Sequence, residues 1–103
     1  MVSMHWGAEY KARATDVQVE LGQKIIDMGA DVIIGHHPHV DQEIERYGGG
    51  WIIYSLGNFI FDQSWSENTM EGLLAEIQIQ NSRVYDVKPI PIQLNENYQP
   101  YIK

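Results

Sequence analysis

The sequence predicts an α/β domain with a mixed sheet, one main helix and antiparallel strands in its second half. Three features carry that class. They are a capped amphipathic stretch over residues 15–28, a β-branched run at 31–35 bounded by turn formers, and apolar alternation from Leu73 onward.

In chain order, Val2-Ser3-Met4-His5-Trp6 reads as a short strand running into a turn at Gly7. Residues 8–14 read as a loop carrying Glu9, Tyr10, Lys11 and Arg13. Thr15-Asp16-Val17-Gln18 has the form of a capping box, in which a hydroxyl and a glutamine three residues on satisfy each other's backbone amides. Val17, Leu21, Ile25 and Met28 follow at spacings of four, four and three, which stacks them on one face expected to be buried. Gly29 supplies the left-handed residue that commonly ends a helix. Asp31-Val32-Ile33-Ile34-Gly35 has the pattern of a buried strand. Strand, helix and strand together make a βαβ unit. His5 and residues 36–39 are then expected at the C-terminal ends of neighbouring parallel strands, where ligand sites gather in open α/β sheets.

The second half changes character. Residues 42–47, the triple glycine 48–50 and residues 51–55 read as a hairpin. Leu73, Ala75, Ile77 and Ile79 alternate onto one side of a strand over 73–80, Asn81-Ser82 offers a turn, and residues 83–92 form the partner. Pro89 and Pro91 restrict that partner to an edge or irregular strand. Trp51, Tyr54, Phe59 and Phe61 are expected in the core, and Trp65 as a loop anchor. No repeat, low-complexity tract or linker interrupts the chain, so residues 1–103 form one unit.

Composition narrows the function classes. Seven Lys and Arg against 14 Asp and Glu give a formal charge of −7, and no basic cluster interrupts it, which argues against a nucleic-acid surface. An acidic protein still takes an anionic ligand where bound cations reverse the local potential. No apolar run approaches the roughly 18–20 residues of a membrane span, and the first residues lack the pattern of a signal peptide. The absence of cysteine excludes thiolate metal sites, disulfides and cysteine nucleophiles.

All four histidines lie in the first 39 residues, three of them in Gly35-His36-His37-Pro38-His39-Val40 directly after the expected buried strand. Neutral imidazole is the commonest metal ligand near neutral pH, and Pro38 stiffens the turn that carries His37 and His39. Asp41, Gln42, Glu43, Glu45 and Asp62 are the nearby polar groups available to complete a site. The pattern fits either a single zinc held by three histidines or a two-metal hydrolytic centre, and spacing alone does not separate them.

Three motifs in order, His5-Trp6-Gly7 with Glu9-Tyr10, then Gly35-His36-His37-Pro38-His39-Val40 with Gln42, then Tyr54-Ser55-Leu56-Gly57-Asn58-Phe59, resemble the CapA family of bacterial poly-γ-glutamate capsule synthesis. That family is grouped with the calcineurin-like metallophosphoesterases. The resemblance implies a four-layer α/β/β/α sandwich, of which this chain would be the C-terminal portion, with two divalent ions (manganese, iron or zinc) at the strand ends. It assigns His5, His37 and His39 as metal ligands. His36 stands one residue out of the family's glycine-histidine-x-histidine pattern and becomes a supporting group. Glu9, expected to orient His5, joins Gln42 and Asn58 as supporting or substrate-facing residues. The family's aspartate and asparagine segments precede this stretch, so the catalytic group is unassigned and the chain alone is expected to be inert.

The activity implied for the intact protein is metal-dependent hydrolysis of a phosphoester or a γ-glutamyl amide. The alternative is a non-catalytic assembly or export component of the capsule machinery. Implied partners are an anionic substrate or the poly-γ-glutamate polymer, other capsule-synthesis proteins, and copies associating through a truncated face. The implied location is the cell envelope, membrane-anchored and extracytoplasmic.

Overall fold

Burial on both faces of one small sheet organises the molecule. The computed structural model describes residues 1–103. It contains β1 (Val2–His5), α1 (Asp16–Asp27), β2 (Val32–His36), β3 (Ile44–Tyr47), β4 (Gly50–Ile53), a 3₁₀ turn (Glu67–Met70), β5 (Glu71–Gln80), β6 (Arg83–Leu94) and β7 (Pro100–Ile102). The first sheet has the order β1-β2-β4-β3, with β1, β2 and β4 parallel and β3 returning antiparallel to β4. The second is the antiparallel sheet β5-β6-β7.

Successive side chains on a strand point to opposite faces, and the central strands bury both. Ile33 and Ile52 point toward α1 and pack with Trp6, Ile26 and Tyr54. Their neighbours Val32 and Ile53 point the other way and pack with Val87, Ala75 and Ile77 of the second sheet. Double burial is why 31–35 reads as a continuous apolar run. Helix, sheet and sheet give three of the four layers that the family resemblance implies.

The capping box forms as expected. Thr15 Oγ1 accepts from the Gln18 amide at 3.3 Å, and Gln18 Oε1 accepts from the Thr15 amide at 2.8 Å. Gly29 ends the helix at φ +112°, its amide donating to the Ile26 carbonyl at 2.9 Å. The buried face differs from the expected one. It consists of Gln18, Gly22 and Ile26; of the expected residues Ile25 packs against the core, while Val17 is 72% and Met28 82% exposed, with Leu21 exposed as well. Two contacts turn the helix this way. Gly22 lets the Trp6 indole and Ile52 close in, since a Cβ there would lie 3.2–3.3 Å from both. Gln18, though polar, is satisfied in the interior by donating to Gln42 Oε1 at 2.9 Å.

Two strand expectations also change. Ala75 and Ile77 of β5 face the core while Ile79, near the strand's end, is exposed; beside it a bulge leaves Tyr85 of β6 without a partner in the ladder. β6 is the middle strand of its sheet, prolines included. The Pro91 carbonyl accepts from Lys103 on the β7 side. The missing amides of Pro91 and Pro89, two residues apart, therefore point away from β5 and interrupt none of its ladder.

Candidate metal centre

The parallel register places His5 directly beside His36 at the C-terminal ends of β1 and β2. Beyond His36 the chain turns sharply. His37 has φ +108° and His39 φ +62°, on either side of a buried Pro38. Left-handed backbone at non-glycine residues costs on the order of 1–3 kcal/mol each, and such strain concentrates at functional sites. The turn carries both imidazoles to one side, with ring centroids 5.9 Å apart.

The loop of residues 8–14 folds over this turn because its backbone is tied down. Tyr10 donates its amide to the Pro38 carbonyl at 2.8 Å. Gln42 Nε2 donates to the carbonyls of Lys11 at 2.8 Å and Arg13 at 3.2 Å, and the Glu43 carboxylate accepts from the Ala14 amide at 3.1 Å. Gln42 is thus a buried loop anchor, turned to Gln18 and the loop backbone. The same ties deliver Glu9, whose carboxylate joins His37 and His39 in a group with donor atoms all within 4.8 Å of one another. First-row cations bind imidazole nitrogen and carboxylate oxygen at ~2.0–2.2 Å, so small side-chain rotations let these three share one ion. The donor set is chemically suited to manganese, iron or zinc.

His5 lies at the edge of this group. Its ring is 4.3 Å from that of His37, and its Nδ1 is 3.1 Å from His36 Nδ1. His36 Nε2 in turn lies 3.2 Å from Ser3 Oγ. His36 thus lies against His5, and Glu9 sits with His37 and His39 and not beside His5. Loss of solvent first, and then the neighbouring His5 and His37, lower the His36 pKa and favour its neutral form. Glu45 receives the Tyr54 hydroxyl at 2.7 Å and Gln23 Nε2 at 2.8 Å, so it is committed to the fold. Asp41 and Asp62 likewise stand outside the group of Glu9, His37 and His39.

The third motif forms one wall. Ser55, fully buried, donates to the Val40 carbonyl at 2.7 Å and accepts from the Gly57 amide at 3.2 Å, which clamps this turn to the histidine turn. Gly57 takes φ +70° and lies against the Asp41 amide and the Glu71 carbonyl. The chain then leaves the core, so Phe59 and Phe61, expected inside, are exposed with Ile60 between them. Together with the four histidines and Asn58 they line a cavity of about 320 Å³. Phe61 lies 5.1 Å from the His39 ring, Tyr10 stacks on His39 at 5.9 Å, and Trp65 meets Tyr10 edge-on at 5.8 Å. Trp65, largely exposed, thus packs on the loop that carries Tyr10 and does not line the cavity. Loss of solvent, then the charge of Glu9 and a hydrogen bond to it, raise the Tyr10 pKa against the opposing bond from Gln63. Gln63 and Thr69, both buried beside Asn58, carry no motif signal and emerge only in three dimensions.

Comparison with known proteins places the chain among relatives. The profile of the family described as bacterial capsule synthesis protein PGA_cap matches residues 1–63, which contain every side chain of the candidate centre. The capsule biosynthesis protein CapA of Bacillus anthracis is 42% identical over 95 residues, covering 90% of this chain and 23% of the relative. The PGA biosynthesis protein CapA of Bacillus subtilis is 42% identical over 96 residues, covering 93% and 25%. A probable polyglutamine synthesis accessory protein of Mycobacterium tuberculosis is 36% identical over 62 residues, covering 60% and 16%. The chain thus spans about a quarter of the length of the two Bacillus relatives it matches.

Proposed function

The chain belongs to the bacterial capsule synthesis protein family, and from that premise we propose that it supplies the histidine and glutamate side of a divalent-metal centre serving capsule-polymer synthesis. The observation that carries the reading is the convergence of Glu9, His37 and His39, donor atoms within 4.8 Å, on a strained turn at the ends of parallel strands. In this reading His5, whose ring lies 4.3 Å from that of His37, supplies a fourth donor, for a second ion. A divalent ion held there would supply Lewis acidity toward a phosphoryl or carbonyl oxygen.

The chain's own residues set the conditions for that chemistry. Glu9 and the imidazoles would hold a cation in a protein of formal charge −7, and that local charge would admit an anionic substrate that the bare surface repels. Phe59, Ile60 and Phe61 keep one side of the cavity apolar, so a substrate seated against them displaces water from the histidine side. Hydrolysis of a phosphoester or a γ-glutamyl amide in the whole protein, cooperation with other capsule-synthesis proteins, and a place at the cell envelope complete the reading. No helix of this chain is long and apolar enough to cross a membrane.

The test is metal content after dialysis of the chain carrying both His37→Ala and His39→Ala, measured by mass spectrometry beside the unaltered chain. The double variant is expected to lose bound manganese or zinc while its circular dichroism is unchanged. Equal metal in both proteins overturns the proposal.

A further inference from the structure

Asn58 is the polar group of the cavity whose orientation is fixed without reference to any ion. It is buried, and both ends of its amide have partners. Its Oδ1 lies 3.0 Å from His39 Nδ1, while Nδ2 lies 3.0 Å from the Thr69 carbonyl and 3.1 Å from Gln63 Oε1. A backbone carbonyl can only accept, so the atom facing Thr69 must be the amide NH₂. Flipping the amide would press two oxygens together in a buried space and leave donors unpaired. Oδ1 therefore faces His39, and because it too can only accept, His39 Nδ1 must carry the hydrogen.

The supporting residues are held just as firmly. With Gln63 Oε1 accepting from Asn58, Gln63 Nε2 is left to donate to the Tyr10 hydroxyl at 3.4 Å. Tyr10 stacks on His39 and is tied through its amide to Pro38, so the contacts close into a ring around one imidazole. Thr69 donates its hydroxyl to the Gln63 carbonyl at 2.6 Å and its amide to Ser66 Oγ at 3.3 Å. The polar stretch from Gln63 to Thr69 is thus folded as a bracket around Asn58.

We infer that Asn58, braced by Thr69 and Gln63, is a positioning residue that fixes His39 as its Nδ1–H tautomer and leaves Nε2 as the one nitrogen able to take a cation. Only the last clause rests on the metal-centre reading; the tautomer follows from the hydrogen bonds. Groups that orient metal-bound histidines typically alter affinity by ~10–100-fold when removed.

Two measurements on the full chain test this. Two-bond proton–nitrogen correlation spectra of the metal-free protein, at a pH where the imidazoles are neutral, read the tautomer of each histidine. His39 is expected as Nδ1–H in the unaltered chain, and that preference is expected to be lost in Asn58→Ala. Calorimetric titration with Mn²⁺ and with Zn²⁺ is expected to show roughly 10–100-fold weaker binding for Asn58→Ala. Finding His39 as Nε2–H in the unaltered chain overturns the inference even if no variant folds, and so does unchanged affinity in a folded Asn58→Ala. The expected tautomer in a chain that binds neither ion supports the positioning role and overturns the metal-centre reading instead.

Discussion

Replacing Gly35 by alanine probes the contact that joins the core to the histidine turn. Gly35 lies in β2 where the Trp6 indole crosses the strand to donate to the Tyr54 carbonyl at 2.8 Å. A Cβ at Gly35 would sit 2.0 Å from that carbonyl oxygen, 2.5 Å from Trp6 Nε1 and 2.7 Å from the Tyr54 carbonyl carbon. Ordinary carbon–oxygen approach is ~3.3 Å or more, and two of the three clashing atoms are backbone, so no rotamer change relieves them. Strands β2 and β4 must move apart and the indole must withdraw. Overpacking a core typically costs about 1–3 kcal/mol. A buried donor and acceptor left unpaired add about 1–3 kcal/mol more. The expected loss is therefore about 2–6 kcal/mol, or a melting point lower by upwards of ~8 °C in a domain of this size. Equilibrium urea unfolding followed by tryptophan fluorescence reads it as a lower midpoint at constant slope. Gly29→Ala is the control, because open space surrounds Gly29 and only its φ of +112° opposes a side chain. A Gly35→Ala loss below ~1 kcal/mol would refute the packing argument.

Two further outcomes follow from burial and charge. The Tyr54 pKa is pushed up, first by loss of solvent and then by the hydrogen bond to Glu45, and Asp27 acts similarly on Tyr47 through the bond it receives. In the unfolded chain both phenols ionise near pH ~10, so the folded form holds protons that the unfolded form releases. Stability from these groups is complete below that pH and falls as pH rises above it. Urea midpoints are expected to drop as pH rises above about 10, and to drop less in Tyr54→Phe; a flat profile contradicts the assignment. At the two ends of α1, Val17→Glu and Met28→Lys, whose charges suit the helix dipole, are expected to change stability by less than ~0.5 kcal/mol, since both side chains face solvent. A large loss of stability would return these residues to the core.

Local chemistry wrote much of the first half into the sequence. The capping box, the β-branched run and the glycine punctuation each act within a few residues, and the helix start, β2 and the β3–β4 hairpin form where those signals lie. The βαβ reading then puts His5 and His36 at neighbouring strand ends, and the register that pairs Val2 with Ile33 sets the two histidines side by side. Periodicity was less informative about which helical face is buried. Counting apolar residues selects Val17, Leu21 and Met28, but a glycine that admits an indole and a glutamine with an internal partner turn Gly22 and Gln18 inward. The same limit applies to Phe59 and Phe61, whose hydrophobicity suggests a core that the turn at Gly57 carries them out of.

The histidine cluster was legible in the sequence because His36, His37 and His39 are neighbours in the chain and His5 ends the adjacent strand. The rest of the centre was not, because it depends on which backbone carbonyls lie within reach. Glu9 arrives only because Pro38 and Gln42 capture the loop that carries it, and Gln42 is consumed in doing so. Gln63 and Thr69 reach Asn58 only after a chain reversal that no spacing predicts. Residue identity and local pattern supplied the groups capable of ligation and the strands that end beside one another. Tertiary structure decided which of them converge, since donor convergence over several ångströms is set by long-range hydrogen bonds and packing that a linear pattern does not contain.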